Sequence, residues 1–355
     1  MRITIKTPKV KSIPEDSIDS CPYCKSSYIA KNGTRSRSIG DPSVNCAIVQ
    51  RWICKSCGKS FVQRPEGVSR RHFSDFVVSL SLLLYTMGLS YENTSKILEV
   101  FKTPIDPSTI WRYVQIVGEK LKKKRPKSKY SIAGFDQTYM KIKGIKEIVN
   151  MVFSTDEVIL DVEILPNETS ETLPNETSET FKKKIEKLNE ELGLEVLVTD
   201  DHASYRDGFM DTDVERQLCL VHVLKNLSKA LKKADFTLEE RERIMNLARA
   251  PTKGGRDIIW GMYLKRLKER GSRDEGTQLL LRLTEKWRDL TTYERRREVP
   301  RDNNFTERGI GRTKIRYKTT RGMKSEGGLL SFIYVTQEIW KENEIGEIDL
   351  RSLIA

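Results

Sequence analysis

The 355 residues predict an α/β protein: a mixed sheet packed with helices, preceded by a small cysteine-bearing sheet unit and a group of short helices. Three observations predict it. Two C-x2-C pairs stand before residue 60, and apolar residues recur at helical spacing from Ser74 to Val117. Beyond Lys129, three apolar runs separated by turn residues give way to alternating helix and strand, in the order βββαβαβα.

The first unit, residues 1–70, reads as a zinc ribbon. Cys21-Pro-Tyr-Cys24 and Cys54-Lys-Ser-Cys57-Gly58 are separated by 29 residues. Four thiolates on two tight turns can close tetrahedrally on one Zn²⁺, a structural site with no position left open for catalysis. Asn45 to Ile53 and Ser60 to Val62 supply its strands. Cys46, mid-strand, is expected to be a buried small hydrophobe, and His72 is a distant substitute ligand. A thioredoxin-like role fits less well, because neither pair opens a helix in a βαβ setting.

Residues 71–129 read as a helix-turn-helix region and a basic linker. Phe76, Val77, Leu80, Leu83 and Leu84 have helical spacing, LSYENTSKILEVF makes a second helix, and a third starts after Asp106-Pro107-Ser108. In that helix Ile110, Trp111, Val114 and Val117 are expected to face the core. Ser108, Thr109 and Arg112 would then be presented to DNA from a recognition helix over 108–117, with Tyr113 also outward. The run Lys120 to Lys129 holds seven basic residues and reads as a phosphate-touching linker.

Strands at Ile132 to Met140, Ile148 to Ser154 and Val158 to Ile164 form an antiparallel meander, and a helix follows at Phe181 to Leu192. Between them the octapeptide LPNETSET is repeated once, at 165–172 and 173–180, and reads as a loop without chemistry. Asp136 sits inside the first strand, where propensity and burial both disfavour an acid unless it has a function. Asp200 and Asp201 end the strand Glu195 to Thr199, and Gln217 to Val221 makes a fifth strand leading to His222. This order is that of the ribonuclease H fold, in which an acid inside the first strand and one ending the fourth lie side by side.

With these residues in place, the chain resembles a DDE transposase of a prokaryotic insertion sequence, of the Mutator-like group. FDQTYMK at Asp136, VTDDHASY at Asp200, CLVH at Cys219 and His222, and DNNFTERG at Glu307 carry the resemblance, which runs from Cys21 to about Trp340. It implies a catalytic set of Asp136, Asp200 and Glu307, with Asp200 favoured over Asp201, and an all-helical insertion over 223–300. The ribonuclease H-like domain is then 130–222 with 301–345. His222 is implied to contact DNA near the scissile phosphate, with Cys219 a packing residue. His202 reads as structural.

Three carboxylates brought together can hold two Mg²⁺ (or Mn²⁺) ions for in-line displacement at phosphorus, first by water and then by the freed 3′-OH. The resemblance therefore implies cleavage at the 3′ ends of terminal inverted repeats and joining to target DNA, by a homodimer or higher assembly on DNA. No G-x-S-x-G elbow or P-loop offers another chemistry. A domesticated, non-catalytic DNA-binding regulator would leave the three acids unexplained. A ribonuclease H-like nuclease would leave the ribbon, the insertion and the basic glutamate segment unexplained.

Charge agrees with a nucleic-acid partner. The chain carries +13 overall, with 24 basic and 10 acidic residues in 1–130, against 7 basic and 14 acidic in 131–195. Between Arg301 and Lys324 eight basic residues surround Asp302 and Glu307, so Arg308, Arg312, Arg316 and Arg321 are expected at phosphates. No apolar run is long enough for a membrane span and no secretory leader is evident, so a cytoplasmic, nucleoid-associated protein without disulfides is expected.

Overall fold

A computed structural model describes residues 4–15, 18–124, 129–165, 178–320, 322–340 and 347–354. Most of the octapeptide repeat, part of the basic linker and Arg321 lie outside the described residues. The elements of the N-terminal part are β1 (Thr4–Lys6), β2 (Ile29–Ser38), β3 (Cys46–Cys54), β4 (Ser60–Gln63), α1 (Asp75–Thr86), α2 (Tyr91–Val100) and α3 (Pro107–Lys123). Next come β5 (Ile132–Ile142), β6 (Ile145–Ser154), β7 (Ile159–Leu165), α4 (Ser178–Leu192), β8 (Val196–Thr199), α5 (Ala203–Gly208) and β9 (Glu215–Leu218). Six helices follow: α6 (Leu220–Lys233), α7 (Leu238–Arg249), α8 (Lys253–Arg270), α9 (Glu275–Glu285), α10 (Trp287–Leu290) and α11 (Thr292–Arg295). The chain then forms α12 (Asn304–Tyr317), α13 (Glu326–Trp340) and β10 (Glu347–Asp349).

Two compact units result, one made of Met1–Arg125, Ile142–Gly144 and Arg312–Ala355, the other of Pro126–Lys141 and Ile145–Gly311. The segment after Gly311, which the sequence grouped with the catalytic domain, therefore belongs with the N-terminal elements.

In the first unit β2, β3 and β4 form an antiparallel sheet in that order, over a small core of Cys21, Trp52, Cys54 and Phe61. Trp52 Nε1 donates to Gln63 Oε1 at 3.0 Å. Cys46, expected to be buried, is instead exposed at the start of β3, where its Sγ meets Ser36 Oγ at 2.7 Å. The three helices start where side chains cap them: Ser74 accepts from Val77 N, Ser90 from Asn93 N, and Asp106 from Ser108 N, with Pro107 preset for the first turn.

On α3 the buried face is Ile110, Tyr113, Val114 and Val117, while Trp111 is 47% exposed. Trp111 and Tyr113 thus exchange the roles expected of them. Tyr113 is packed with the Arg71 guanidinium over its ring, 5.9 Å from the centroid. α13, buried along most of its length, lies against α3. At the crossing a Cβ on Gly118 would stand 2.5 Å from Ser331 Cα. Helix propensity alone would make Gly118→Ala stabilising by about 1 kcal/mol. Because the obstacle is backbone, overpacking should win, and the variant is expected to lose about 1–3 kcal/mol in urea unfolding. A variant as stable as the parent would count against this crossing.

In the second unit one five-stranded sheet has the order β7-β6-β5-β8-β9. β6 and β7 are antiparallel, whereas β8 lies parallel to both β5 and β9. β5 and β6 are joined through Lys143-Gly144, both at positive φ, as a tight hairpin turn requires. This is the ribonuclease H-like order that the sequence predicts. α4 covers one face through Phe181, Ile185 and Leu188, packed with Phe135, Leu197 and Tyr205.

The fifth strand is shorter than expected. It ends at Leu218, Cys219 turns the chain with φ −61° and ψ 109°, and Leu220 already begins α6, so His222 lies on a helix and not beyond a strand. Helices α6 to α10 share a separate core that includes Leu227, Ile244, Ile259, Leu280 and Trp287. Among the described residues no helix is long and apolar enough to cross a membrane.

Candidate active site and cysteine cluster

β5 and β8 pair in parallel as Ile132↔Val196, Ala133↔Leu197 and Gly134↔Val198. Carried two residues further, that register sets Asp136 beside Asp200. Glu307, in the first turn of α12, is near enough for its charge to act on Asp136, but the three acids do not gather within 4.8 Å of one another. A Cβ at Gly134 would stand 2.1 Å from Thr306 Oγ1 and 2.2 Å from Asn303 Oδ1, so only glycine lets the start of α12 approach β5 this closely. Asn303 fixes the junction: its Nδ2 donates to Phe135 O at 2.9 Å and its backbone N–H to Cys219 Sγ at 3.3 Å.

Burial, with Asp200 and Glu307 nearby, pushes the Asp136 carboxyl up to about 6, although Gln137 N donates to it at 2.7 Å. Burial likewise raises Asp200, whose Oδ1 is buried without a hydrogen-bond partner. Asp201 has a different environment, with Lys286 Nζ 2.6 Å from its Oδ2. His222 Nε2 stands 3.6 Å from Glu307 Oε1. Hydrogen bonding with the Cys219 side chain, and behind it the charges of Glu307 and Asp200, push the imidazole up to about 9 against the opposing effect of burial. His202 precedes α5 and is exposed, near the Tyr205 ring.

Sequence reasoning missed Arg216 and Asn303. Arg216, 5% exposed on β9, donates from Nε to Thr199 Oγ1 at 2.9 Å and from Nη2 to Asp200 O at 2.8 Å, with Asp289 Oδ2 at 3.9 Å. An arginine inside a strand pattern was the available signal, since burial there requires partners. Arg216→Lys keeps the charge but loses the planar fork that spans Thr199 and Asp200. Strand transfer is expected to fall about 10- to 100-fold, as for other groups that orient metal ligands. Unchanged transfer by this variant would remove Arg216 from the site.

The predicted phosphate-binding residues fare differently. Arg308 is exposed and paired with Glu157 at 2.6 Å. Arg312 is only 8% exposed and donates to Gln337 Oε1 at 3.2 Å, and the Arg316 guanidinium lies 3.5 Å from the centroid of the Trp340 ring. These two arginines turn inward and are withdrawn as DNA contacts, because α13 covers the face they occupy. Arg321 is outside the described residues. On α3, Ser108 and Arg112 are exposed and joined by a 3.3 Å hydrogen bond, while Thr109 is half-buried.

The four N-terminal cysteines also converge. All four Sγ atoms lie within 4.8 Å of one another, with Cys21 and Cys57 at 3.8 Å and Cys24 and Cys54 at 3.6 Å. Four bonds of about 2.3 Å at tetrahedral angles would set sulfurs about 3.8 Å apart, so a zinc-sized ion fits. The two turns are built alike. Lys25 N donates to Cys21 O and Gly58 N to Cys54 O, each at 2.9 Å, and both donors have positive φ. The Cys57 backbone N–H, against the effect of burial, draws the Cys54 thiol down to about 6. His72 is not in the cluster.

Residues 73–330 match the family model of the IS66 family of transposases. No curated protein matches the chain. Among solved structures it is similar to the Drosophila P element transposase strand transfer complex, at 11% identity over 80% of this chain and 84% of that one, with a TM-score of 0.30. It is also similar to the HTLV-2 integrase catalytic core domain in complex with magnesium, at 17% identity over 35% and 86%, with a TM-score of 0.20. A third is the simian T-cell lymphotropic virus intasome in complex with PP2A regulatory subunit B56 gamma, at 11% identity over 45% and 49%, with a TM-score of 0.21. The chain spans about half the length of that last one.

Proposed function

This chain belongs to the IS66 transposase family, and from that premise we propose that it is a metal-dependent DDE transposase that cleaves the 3′ ends of its element and joins them to target DNA. The observation that carries the reading is the buried Asp136 carboxyl on β5, on which the charges of Asp200 and Glu307 both act. The resemblance to the Mutator-like group is carried by these same motifs and supports the DDE class within which the IS66 family lies.

The donor set suits a hard divalent cation: three carboxylates, one of them with a buried oxygen that nothing else satisfies. Two Mg²⁺ (or Mn²⁺) ions held there would activate the attacking oxygen and stabilise the leaving one. Asn303 and Arg216 keep the two ends of the site in register, and His222 stands where it can reach the scissile phosphate. Water attacks the phosphodiester at the element's end and frees a 3′-OH. That hydroxyl then attacks a target phosphodiester, forming one P–O bond as the target's 3′ oxygen leaves.

The cysteine cluster is proposed to hold one structural Zn²⁺, and α1 to α3 to present Ser108, Thr109 and Arg112 to the terminal repeats. Pairing two ends implies a homodimer or larger assembly on DNA, in the cytoplasm at the nucleoid. The full chain, given Mg²⁺ and duplexes carrying the inverted repeats that flank its gene, should release a 3′-OH and join it to a second duplex. Failure to cut its own ends would defeat the reading.

Binding of those duplexes should weaken steeply with salt. Arg112→Ala should relax sequence preference, whereas alanine at Lys122 to Lys124 should weaken all DNA about equally. Equal losses from both changes would remove α3 as the reading helix.

A further inference from the structure

Cys219, His222 and Glu307 bring three unlike donors together: a sulfur, an imidazole nitrogen and a carboxylate oxygen, all within 4.8 Å of one another. Two helices, α6 and α12, position them. Cys219 is fully buried at the N-cap of α6, where the Asn303 N–H donates to its Sγ. His222 follows three residues later on the same helix face. Glu307 belongs to α12, held by the bonds of Asn303.

His222 Nε2 and Glu307 Oε1 are 3.6 Å apart, too far for an N–H···O bond, while the imidazole hydrogen-bonds with the Cys219 side chain. Two ligands on one tetrahedral ion, with bonds of about 2.0–2.1 Å, stand roughly 3.3 to 3.4 Å apart, so a small adjustment closes this pair on an ion. Mg²⁺ takes oxygen donors and leaves sulfur and imidazole unused, whereas Zn²⁺ and its neighbours accept sulfur, nitrogen and oxygen together.

We propose that Cys219, His222 and Glu307 form a second metal site, selective for a thiophilic divalent cation such as Zn²⁺, whose occupation withdraws Glu307 from Asp136 and Asp200. The site would make zinc an inhibitor of a magnesium-dependent reaction, the two ions competing for one carboxylate. Binding releases the Cys219 thiol proton as the metal–sulfur bond forms. The inhibitory half rests on the role proposed above for Glu307, but the site itself does not.

The test uses the full chain with one Zn²⁺ retained per molecule and with Cys46→Ser, which removes the exposed thiol. Added Co²⁺ should bind at one further equivalent and give a near-ultraviolet thiolate-to-cobalt charge-transfer band. Zn²⁺ should erase the band and excess Mg²⁺ should not. His222→Gln should weaken it and Cys219→Ser should lose it. Should Cys219→Ser fail to fold, the presence or absence of the band in the parent decides. Cobalt bound without the band, or a band that survives in folded Cys219→Ser, overturns the site.

Zinc at the concentration that displaces cobalt should also suppress strand transfer, and unsuppressed transfer overturns the competition for Glu307. Asp136→Asn separates the two ideas. No band in the parent together with dead strand transfer in Asp136→Asn overturns the second site alone. A band together with strand transfer indifferent to Asp136→Asn overturns the catalytic reading alone.

Discussion

Replacing Asp136, Asp200 or Glu307 by its amide is expected to abolish 3′-end cleavage and the joining of a pre-cleaved end together, by about 10³-fold or more, the scale seen when one member of an interdependent set is lost. Binding of the terminal repeats should persist, since no α3 residue is altered. The expectation follows from geometry. Both steps are displacements at phosphorus, and in-line attack needs nucleophile and leaving oxygen fixed by the same acids. Asp201→Asn should retain substantial activity, because Lys286 holds that side chain at 2.6 Å and successive residues at a strand end point apart. Cleavage and joining rates measured on synthetic ends would decide. An inactive Asp201→Asn with an active Asp200→Asn would reverse the assignment, and joining that survives Glu307→Gln would refute a shared site.

Changing Cys54 or Cys57 to Ser should remove about one zinc per chain and unfold the β2-β3-β4 sheet. The buried cluster next to the cysteine turns is four side chains, two of them cysteines, and a second one under the sheet adds only Ile39, Ala47 and Val68. Ligation of a structural zinc is worth about 10–16 kcal/mol in isolated fingers, far more than so few buried residues supply. Recognition of the element's ends should fail as a consequence. Zinc content by elemental analysis and protease sensitivity of residues 18–63 check it, and a stable zinc-free chain would reject the metal.

Legibility in the sequence followed the strength of local pattern. The meander and the strand ending at Thr199 were readable because apolar runs alternate with turn residues, and Asp136 stood out against its neighbours. β2 was not readable: IAKNGTRSRS is polar along most of its length and becomes a strand only by pairing with β3. In the other direction, the apolar run from Leu218 to Val221 suggested a longer strand, but Leu220 points into the core shared by α6 to α10.

The inward turn of Arg312 and Arg316 depends on α13, and the burial of Tyr113 on Arg71, which lies outside its helix, so no local periodicity carries either contact. The acids were legible because their residue types are unusual where they stand. Arg216 and Asn303, which hold those acids in place, become evident only when the partners of their polar atoms are known.

The joining of chain ends in the first unit has a consequence for synthesis. β1 pairs with β10, and α3 rests on α13, so this unit cannot be completed when Arg125 leaves the ribosome. At about 5–20 residues per second, translation reaches Arg312 roughly 10 to 40 s later. Throughout that interval α3 lacks the helix it packs on. A chain terminated anywhere before Arg312, or a fragment of residues 1–130, would leave uncovered the face of α3 at Gln115 and Gly118. The ability to read DNA would therefore mature last, after the strands bearing Asp136 and Asp200 have already been made.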